Sequence, residues 1–441
     1  MPENLKSMVT NAGYDANEIT MTVDTTIYLM NNLDLGARQT NGTKTTGTDW
    51  TPIGNNSNNV KNNLGTFEGN NYTITGVYIN AETNINGLFA FSNAIQNLTI
   101  KDSFVKGNNF IGGIIAYSFG VIKNCHNKNT TVQGLEQAGG IIGVTKGNVE
   151  KCTNNGVING STCIGGIVGY GIQSVIITGC TNNGTINGDN IIGGVAGYAN
   201  ASSSINECVN NGKINGNNNW IGGVVGSADT SSSINKCNNN GFVEGKSYTA
   251  GIVGYASDST RIISCINKAN ITSTAGGNKE GIGGIAGHAA YMIKLCCNTG
   301  NVLGIGNSAA GGICGRCKSE KGQDISLCYN SGEIKGDGLI GGISGVCGSN
   351  NTDPPAKEYN CYNKGRLINT AGLDTIGGVA ASVSNGANVI NCYYLSGVGA
   401  NVGVYNVGTG GDLAAQNSEA KATDVDLKTF EEFLTWIEQH Q

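Results

Sequence analysis

The chain has 441 residues, including 70 Gly, 62 Asn and only 4 Pro. Gly lacks a three-residue period and Pro is scarce, which excludes collagen; recurrent Ile and Val with only 13% charged residues argue against disorder. A net charge of -5 with 26 Lys and Arg gives no electrostatic footprint for nucleic acid. Because Gly and Asn tolerate positive φ, the composition predicts an elongated all-β protein with many tight turns.

The N-terminus and the cysteines bear on location. No apolar stretch approaches the ~20 residues of a membrane helix, so no membrane insertion is expected. Met1-Pro2-Glu3-Asn4-Leu5 lacks the positive and apolar regions of a signal peptide, which suits an intracellular chain or a mature fragment restarted with Met. Fifteen Cys, an odd number over a long chain, do not resemble a small disulfide-stapled domain.

Residues 1–64 are predicted to form an N-terminal cap with entry strands. A short helix is expected from Glu3 to Asn11, and a strand from Ile27 to Leu35. Beyond them, residues 65–74 suit a first coil, and Gly87-Leu88-Phe89-Ala90 stands where later units have Gly-Gly-Ile-Val. These elements extend the internal repeat of the chain toward the N-terminus.

Residues 65–423 are dominated by one internal repeat, and a Gly pair followed by Ile or Val marks each copy. Self-similarity at a fixed period is the signature of repeat architectures. The pairs are Gly112-Gly113, Gly139-Gly140, Gly165-Gly166, Gly193-Gly194, Gly222-Gly223, Gly283-Gly284, Gly311-Gly312, Gly341-Gly342 and Gly377-Gly378. One copy of the repeat has Ala250-Gly251 in place of the Gly pair.

Two columns of residues repeat together with the Gly pairs. Ten of the 15 Cys occupy one repeated position at intervals of 27 to 33 residues: Cys125, Cys152, Cys180, Cys208, Cys237, Cys265, Cys296, Cys328, Cys361 and Cys392. Leu98 precedes them as the first member of the column. Two residues after each of the first nine Cys stands an Asn: Asn127, Asn154, Asn182, Asn210, Asn239, Asn267, Asn298, Asn330 and Asn363.

One repeat contains three short apolar segments, seen between Ile164 and Gly188 as Ile-Gly-Gly-Ile-Val-Gly, Val-Ile-Ile-Thr-Gly-Cys and Gly-Thr-Ile-Asn-Gly. Gly, Asn and Ser separate them, so each reads as a strand of roughly three to five residues. Such a unit cannot bury its apolar face alone, but successive units can when they stack in register. The prediction is a three-sided parallel β-helix, or β-solenoid, with coils of about 28 residues.

Residues 424–441 are predicted to form an amphipathic capping helix. Four apolar residues follow the i, i+3, i+7, i+10 spacing of one helix face: Leu427, Phe430, Leu434 and Ile437. Asp424 or Asp426 suits the N-cap. Because the ends of a solenoid expose strand edges and a cross-section of core, the helix is expected to cover one end.

The repeat resembles a known family. The unit Gly-Gly-Ile-Val-Gly, followed by Ile-x-x-Cys-x-Asn-x-Gly-x-Val-x-Gly, is similar to the GLUG-motif repeats of bacterial surface and secreted proteins. The run Asp49-Trp50-Thr51-Pro52-Ile53-Gly54 looks like the entry region that precedes such arrays. The resemblance covers roughly residues 25 to 400. It implies an exported bacterial β-solenoid, often a module of an adhesin or surface protease, and it assigns no catalytic residue.

The Cys and Asn columns are interpreted as structural ladders. Buried Cys behaves as a small hydrophobe, and parallel neighbours hold their Cβ atoms about 4.8 Å apart, farther than the ~3.8 Å of a disulfide. Stacked Asn side chains, such as Asn154, Asn182, Asn210 and Asn239, can bond one another and nearby turn carbonyls. A ladder of single thiols lacks the converging pairs of a zinc site, so no metal is predicted.

Three thiols form a local exception to the ladder. Cys314-Gly315-Arg316-Cys317 is a C-x-x-C sequence, and Cys347 occupies the same unit position as Cys317. These thiols are expected on one flank, where Arg316 would lower a thiol pKa. The interpretations left open are a disulfide, free thiols, or a redox or metal role without an evident fourth ligand.

Aromatic residues form two partial columns. Tyr117, Tyr170, Tyr198 and Tyr255 share the position five residues after the start of the Gly pair, where His288 and Arg316 later stand. Tyr329, Tyr362 and Tyr393 each follow a column Cys. A row that faces outward would stack on sugar rings or pack against a partner. The alternative is that these side chains only cover strand edges or corners.

No catalytic constellation is evident. Hydrolases and lyases need clustered carboxylates or a carboxylate with a basic partner, whereas the acidic residues here are scattered and the three His lie far apart. His126 and His288 are interpreted as surface residues. No nucleotide-binding or zinc-protease motif is present, and no cofactor is predicted.

The leading hypothesis is a non-enzymatic extracellular or cell-surface scaffold that binds a host or microbial surface glycan or protein. One alternative is a carbohydrate-active β-helix enzyme, a polysaccharide lyase or hydrolase, with function in the insertions at 273–281, 316–324 and 348–358. A second alternative is a filament subunit that associates end to end when a cap is displaced.

Overall fold

The computed structural model describes residues 26–40, 42–54, 65–273, 281–306, 309–319, 324–349, 356–384, 387–407 and 420–439. The chain divides into two compact units: unit 1 comprises residues 1–200 and 211–213, and unit 2 comprises residues 201–210 and 214–441. In each unit the coils contribute strands to four parallel sheets, numbered here in the order in which a coil visits them after its Gly pair. The predicted all-β solenoid with coils of about 28 residues and a C-terminal helix is confirmed.

Unit 1 contains the following strands. Sheet 1 contains Phe89–Ser92, Ile115–Ser118, Ile142–Thr145, Val168–Gly171 and Ala196–Ala199. Sheet 2 contains Thr26–Tyr28, Thr66–Glu68, Ala94–Gln96, Ile122–Lys123, Val149–Glu150 and Ile176–Thr178. Sheet 3 contains Leu33–Asp34, Thr73–Thr75, Thr99–Lys101, His126–Lys128, Thr153–Asn154 and Thr181–Asn182. Sheet 4 contains Tyr78–Asn80, Phe104–Lys106, Asn109–Gly112, Thr131–Gly139, Val157–Gly165, Ile186–Gly188 and Asn190–Gly193.

Unit 2 repeats the pattern. Sheet 1 contains Val225–Ala228, Val253–Ala256, Ala286–Ala289, Cys314–Ser319, Ser344–Ser349, Ala380–Ser384 and Val404–Val407. Sheet 2 contains Ser204–Asn206, Ser233–Asn235, Arg261–Ile263, Met292–Lys294, Asp324–Ser326, Lys357–Tyr359 and Asn388–Ile390. Sheet 3 contains Val209–Asn210, Asn238–Asn239, Ile266–Asn267, Cys297–Asn298, Tyr329–Asn330, Tyr362–Asn363, Cys392–Leu395 and Ala420–Thr423. Sheet 4 contains Ile214–Gly216, Asn219–Gly222, Val243–Gly245, Ser247–Ala250, Ile271–Ser273, Gly281–Gly283, Val302–Gly304, Ala309–Gly311, Ile334–Gly336, Leu339–Gly341, Leu367–Asn369 and Ile376–Gly377. The helix α1 spans Phe430–Gln439.

The core consists of columns of equivalent residues. Within the four sheets, strands pair in parallel with their equivalents one coil later, as Thr153 does with Thr181 in unit 1 and Ile234 with Ile262 in unit 2. Apolar positions of successive coils therefore fall one above another about 4.8 Å apart. These columns are largely Ile, Val, Ala and Cys, and they are buried inside the coils.

The three apolar segments expected in each repeat are present, and the backbone divides two of them further. The first leaves sheet 4 at Gly165, turns, and enters sheet 1 at Val168. The second leaves sheet 2 at Thr178 and enters sheet 3 at Thr181. Each coil therefore has more corners than apolar segments.

The corner between sheets 2 and 3 has a repeated left-handed residue immediately before the Cys column. Its members have φ between 48° and 62°: Asn97, Asn124, Lys151, Gly179, Glu207, Lys236, Ser264, Leu295, Leu327, Asn360 and Asn391. This conformation turns the chain so that the next side chain, Leu98 or a column Cys, points into the core. The corner thus explains why the Cys position repeats.

Two glycines of the motif are required by close approach between coils. A Cβ atom on Gly140, the second residue of its pair, would collide with the Gly166 carbonyl oxygen and the Asn154 side chain. A Cβ atom on Gly254, the fifth residue of its motif, would collide with the backbone between Trp220 and Ile221. Both positions therefore exclude any larger residue.

The N-terminal region adds an antiparallel hairpin and one buried Trp. The hairpin pairs Arg38–Thr40 with Thr43–Thr46. Trp50 donates its indole hydrogen to the Leu88 carbonyl oxygen at 3.0 Å and is buried. The helix expected from Glu3 to Asn11 lies outside the described residues.

Candidate functional site

The outer face of sheet 1 carries a row of aromatic side chains, called here the aromatic row. In unit 1 its register positions are Phe91, Tyr117, Val144, Tyr170 and Tyr198. In unit 2 they are Ser227, Tyr255, His288, Arg316, Val346 and Ser382. The aromatic members are half-buried, so part of each ring reaches the surface. The structure therefore places the predicted binding residues Tyr170, Tyr198, Tyr255 and His288 in this row.

A second row flanks the aromatic row, because sheet 4 has a left-handed residue two residues before the Gly pair in several coils. The ladder between neighbouring coils passes over this residue on both strands without a change of register. Its φ is positive at six positions: Phe110 (54°), Gln137 (52°), Cys163 (58°), Ile191 (58°), Trp220 (64°) and Tyr248 (46°). Bulky residues rarely adopt this conformation, which costs on the order of 1 to 3 kcal/mol and clusters at functional sites.

In unit 1 the rings of the aromatic row pack on one another. Tyr170 and Tyr198 stack with ring centroids 5.0 Å apart and planes within 5°. Asn200 donates its amide hydrogen to the Tyr170 hydroxyl at 3.1 Å. A separate group joins Tyr117 to Phe119, with centroids 4.8 Å apart. The rings are thereby held in fixed positions.

In unit 2 four aromatic side chains form a compact group, called here the Trp220 cluster. Tyr255 stacks on Trp220 at 4.9 Å and on His288 at 4.6 Å between centroids. Tyr248 meets Tyr255 and His288 edge-on at 5.9 and 5.7 Å. Burial raises the pKa of Tyr255, and the charges of Tyr248, Asp258 and Asp229 raise it further.

This geometry determines which parts of the rings are available. The stacked faces of Tyr170 and Tyr198 are used against each other, as are those of Tyr255 and His288. Stacking of a sugar ring on those covered faces, which the sequence suggested, is therefore blocked. Ring edges and polar atoms remain for contact with a partner.

The other predicted binding row, Tyr329, Tyr362 and Tyr393 on sheet 3, lies beneath α1. Tyr329 and Tyr362 are 1% and 0% exposed, and their hydroxyls donate to the Leu427 and Val425 carbonyl oxygens at 2.9 and 2.5 Å. Trp436 packs edge-on against Tyr393 at 4.8 Å. This row packs against the chain's own C-terminal segment instead of facing solvent, so its residues are not an open binding surface.

The position of α1 follows from its apolar face. Phe433 and Ile437 are fully buried in a cluster with Cys297, Tyr329 and Tyr362 on the outer face of sheet 3. The helix therefore lies along the side of several coils. The strand Ala420–Thr423, which precedes the helix, pairs with Cys392–Leu395 and is the last strand of sheet 3.

The N-cap of α1 is Thr429, not Asp424 or Asp426. The Glu432 amide donates to the Thr429 hydroxyl at 3.1 Å, and the Glu432 carboxylate accepts from the Thr429 amide at 3.4 Å. This reciprocal arrangement is a capping box. Asp426 precedes the helix and pairs with Lys364 at 2.6 Å.

The column cysteines are buried free thiols. All ten have no exposed surface: Cys125, Cys152, Cys180, Cys208, Cys237, Cys265, Cys296, Cys328, Cys361 and Cys392. Each thiol lies near the carbonyl oxygen two residues earlier, for example 3.3 Å for Cys125 and 3.4 Å for Cys237. Burial raises the pKa of Cys152 and Cys265, so these thiols stay protonated.

The column Asn residues form ladders of side-chain hydrogen bonds. In unit 1 the Asn154 amide donates to the Asn182 side-chain oxygen at 2.8 Å. In unit 2 each of five bonds is 2.8 Å long and runs from one coil to the next, through Asn210, Asn239, Asn267, Asn298, Asn330 and Asn363. The ladder also bonds the turn that follows, as Asn182 does with the Gly184 amide and carbonyl at 3.2 and 3.0 Å.

The three thiols singled out in the sequence lie together on sheet 1. The Cys314 and Cys317 sulfur atoms lie next to each other, with Cα atoms 6.3 Å apart, a separation that a disulfide can bridge. Cys347 is the register partner of Cys317 and is a buried free thiol. Among the described residues no group of His, Cys, Asp and Glu has the arrangement of a metal site.

A buried carboxyl group next to these thiols was missed in the sequence. Glu358 has no exposed surface and occupies a column of sheet 2 between Ile325 and Val389. Burial raises its pKa to about 7. The Ser344 hydroxyl and the Cys347 thiol face it and offset part of this rise, but neither oxygen of Glu358 completes a hydrogen bond. The signal was a Glu three residues before a column Cys, where neighbouring copies have Ile or Val.

A groove on the outside of sheet 4 in unit 1 was also missed. It has a volume of about 570 Å³. Its lining residues are Glu82, Lys106, Gly107, Asn108, Gln133, Gly134, Leu135, Asn159, Gly160, Ser161 and Asp189. No single motif marks it, because it arises from side chains of several coils that only stacking brings together.

The insertions that were predicted to carry catalytic loops fall largely at residues 274–280, 320–323 and 350–355, which lie outside the described residues. Across the part of the chain that the structure describes, no helix is long and apolar enough to cross a membrane.

Comparison of the chain with protein-family models, curated proteins and solved structures found no match in any of the three.

Proposed function

We propose that the protein is a non-catalytic binding scaffold at the cell surface or outside the cell, and that the aromatic row of sheet 1 contacts a protein partner. The supporting observation is the Trp220 cluster, in which two bulky residues at positive φ stand beside the stacked Tyr255 and His288. Strained backbone that persists at a surface is typical of binding sites. The resemblance to GLUG-motif repeats favours an exported bacterial protein.

The chemistry of the row favours a protein over a flat sugar. Trp, Tyr and Arg dominate the energetics of protein interfaces. In unit 2 the row contains Tyr255, His288 and Arg316, and Trp220 of the flanking row stacks on Tyr255. Because the stacked rings cover one another's faces, a partner contacts mainly ring edges and polar atoms. Such contacts suit the irregular side chains of a protein surface.

The test compares variants of the row with a matched control. Tyr170→Ser with Tyr198→Ser, and Tyr255→Ser with His288→Ser, remove the row in each unit, and Ser227 shows that Ser is accepted at this register position. The control is Val157→Ser with Ile176→Ser, which removes exposed apolar residues, 40% and 43% accessible, from sheets 4 and 2.

Binding would be measured by biolayer interferometry against a panel of purified host and bacterial surface proteins, before and after enzymatic deglycosylation. We expect at least one partner whose affinity falls tenfold or more in a row variant and not in the control, with deglycosylation having no effect. Unchanged affinity in both row variants would overturn the assignment of the surface. Loss on deglycosylation would replace the protein partner by a glycan.

A further inference from the structure

The groove of unit 1 has a bare backbone floor between two walls of side chains. Gly107, Gly134 and Gly160 form the floor. A Cβ atom on Gly107 or Gly160 would collide with the core side chains of Ile111 and Ile164, so the core dictates glycine here. At these positions the chain therefore presents only backbone to the groove.

The walls present polar groups in register. Lys106, Gln133 and Asn159 stack on one side as successive partners of sheet 4. The other side carries Asn108, Leu135, Ser161 and Asp189. Because the coils repeat at about 4.8 Å, hydrogen-bonding groups recur at that interval along the groove.

Several of these groups are held in place before any ligand arrives. The Ser161 hydroxyl donates to the Asp189 carboxylate at 2.8 Å, and the Asn187 amide donates to the Asn159 side-chain oxygen at 2.8 Å. Asn108 donates to the Glu82 carbonyl oxygen at 2.8 Å. Fixed side chains lose little conformational entropy on binding, which favours affinity.

The lining narrows the class of ligand. Glu82 and Asp189 outnumber Lys106 among the lining charges, so a polyanion is disfavoured. Leu135 is the one large apolar lining residue and is 58% exposed, which is too little for an apolar ligand. An added peptide strand needs an open sheet edge, whereas the sheet 4 strands here already pair with the coils on either side.

We propose that this groove binds a neutral oligosaccharide that extends along the stack of coils. Sugar hydroxyls donate and accept, which matches walls of amides, a hydroxyl and separated charges. The proposal goes beyond the proposed protein partner, because it concerns a different sheet and a different chemistry. We do not propose that the groove cleaves the oligosaccharide, because its two carboxyl groups, Glu82 and Asp189, are too far apart.

Glu82 and Asp189 each follow by two residues a sheet 4 position, Asn80 and Asn187, and these positions lie four strand steps apart. Four steps of about 4.8 Å place them roughly 19 Å apart, whereas the paired carboxyl groups of glycosidases lie about 5 to 9.5 Å apart. These two carboxylates therefore cannot act together on one glycosidic bond. The groove is a binding site for a chain that remains intact.

The test uses hexasaccharides of cellulose, mannan, xylan and chitin in isothermal titration calorimetry with the full chain. The groove variant is Gln133→Ala with Asn159→Ala, which removes two wall groups from adjacent coils. The control is Asn155→Ala with Asn183→Ala, another pair of Asn side chains bonded at 2.8 Å, which directly follow two strands of sheet 3. Circular dichroism would verify that each variant remains folded.

We expect one or more hexasaccharides to bind the native chain, with affinity at least tenfold lower in the groove variant and unchanged in the control. Tyr170→Ser with Tyr198→Ser is also expected to leave this binding unchanged, which separates the groove from the aromatic row. Failure of all four sugars at millimolar concentration, or equal affinity in the groove variant, would overturn the proposal. A hexagalacturonate is titrated alongside them as the acidic comparison, and tighter binding of it than of the neutral sugars would overturn the charge argument.

Discussion

At the scale of the residue, the solenoid core must satisfy polar groups that repeat in every coil. Each corner after the Cys column leaves turn amides and carbonyls without strand partners, and a buried Asn bonds them while also bonding its neighbour, as Asn182 does with Gly184. A buried amide left unbonded would cost about 1 to 3 kcal/mol. The core therefore accepts a buried Asn at this position because its side-chain amide is hydrogen-bonded there.

Glu358 is the opposite case, a buried polar residue without a ladder. It stands between Ile325 and Val389, and both its oxygens lack hydrogen bonds. Protonation avoids the cost of a buried charge, which explains the rise of its pKa to about 7. The neutral form is therefore the one that the folded state accepts.

This burial predicts a pH dependence of stability. The pKa of Glu358 rises from 4.5 to about 7 on folding. The stability associated with the neutral form is complete below pH 4.5 and is lost as the pH rises through 7, by about 3 to 4 kcal/mol at about 1.4 kcal/mol per pKa unit. Glu358→Ile should make the protein more stable at pH 8 and should remove this part of the difference between pH 5 and pH 8.

The measurement is guanidinium unfolding at the two pH values. Glu358→Gln is the matched variant, because it removes the titration but keeps an unbonded polar group in the core. It should flatten the pH dependence without the gain in stability that Ile brings. An unaltered difference between pH 5 and pH 8 in both variants would contradict the role assigned to Glu358.

At the scale of the element, α1 shows how a short helix is held by tertiary contacts. Ten residues are too few for a stable isolated helix, but Phe433 and Ile437 are fully buried against Tyr329 and Tyr362. The capping box at Thr429 sets where the helix begins. Docking on sheet 3 therefore stabilises the helix and covers the tyrosines at the same time.

Phe433→Ala should release α1 from sheet 3. Removing a buried Phe side chain costs about 3 to 5 kcal/mol. The remaining contacts of this short helix, chiefly those of Ile437, are not expected to hold it on the sheet after such a loss. Cys297 lies beneath the helix and is 4% exposed, and burial raises its pKa to about 12. Its alkylation by iodoacetamide should become much faster in the variant, as measured by mass spectrometry of the modified peptide.

Thr435→Ala is the control for this experiment, because Thr435 is an exposed residue of the same helix. Adjacent Cys296 points into the core and should stay unreactive in all variants. Equal alkylation rates of Cys297 in the native chain and in Phe433→Ala would show that the helix does not protect the tyrosine row.

The sequence predicted elements wherever a residue type repeats, and it failed where several coils act together. The Cys and Asn columns and the amphipathic helix are visible because spacing alone reveals them. The left-handed residues Trp220 and Tyr248 are not, since strands of two to four residues are too short to show a period. Tyr329 and Tyr362 were open candidates for binding because no local pattern indicates which surface a helix will cover. The groove depends on Gln133 and Asn159, which are ordinary residues until stacking aligns them.

At the scale of the whole molecule, repetition makes the contacts within each unit nearly one-dimensional. A coil contacts chiefly the coils before and after it, as the parallel register of Thr153 with Thr181 illustrates. Stability is then approximately a sum over coils and their interfaces. Changes in one coil should have effects that remain local.

Deletion of one complete coil should therefore be tolerated. Removing residues 153–180 joins Cys152 to Thr181, which is the register equivalent of Thr153. Every column stays aligned, so we expect the same circular dichroism spectrum and a melting temperature lower by only a few degrees.

The matched control removes half a coil, residues 153–166. This deletion shifts the columns out of register, so apolar and polar positions no longer coincide between neighbours. Loss of the β spectrum is expected for the half-coil deletion alone. Equal unfolding by both deletions would contradict the additive behaviour of the coils.

The Asn ladder of unit 2 has an electrical consequence. Between strands, successive backbone hydrogen bonds alternate in direction, so their dipoles largely cancel. The five amide bonds from Asn210 to Asn363 all point the same way, each donating toward the next coil. Their dipoles add and polarise one another. The buried ladder is thus a polar axis, positive at Asn363 and negative at Asn210, inside a core whose columns are largely Ile, Val, Ala and Cys.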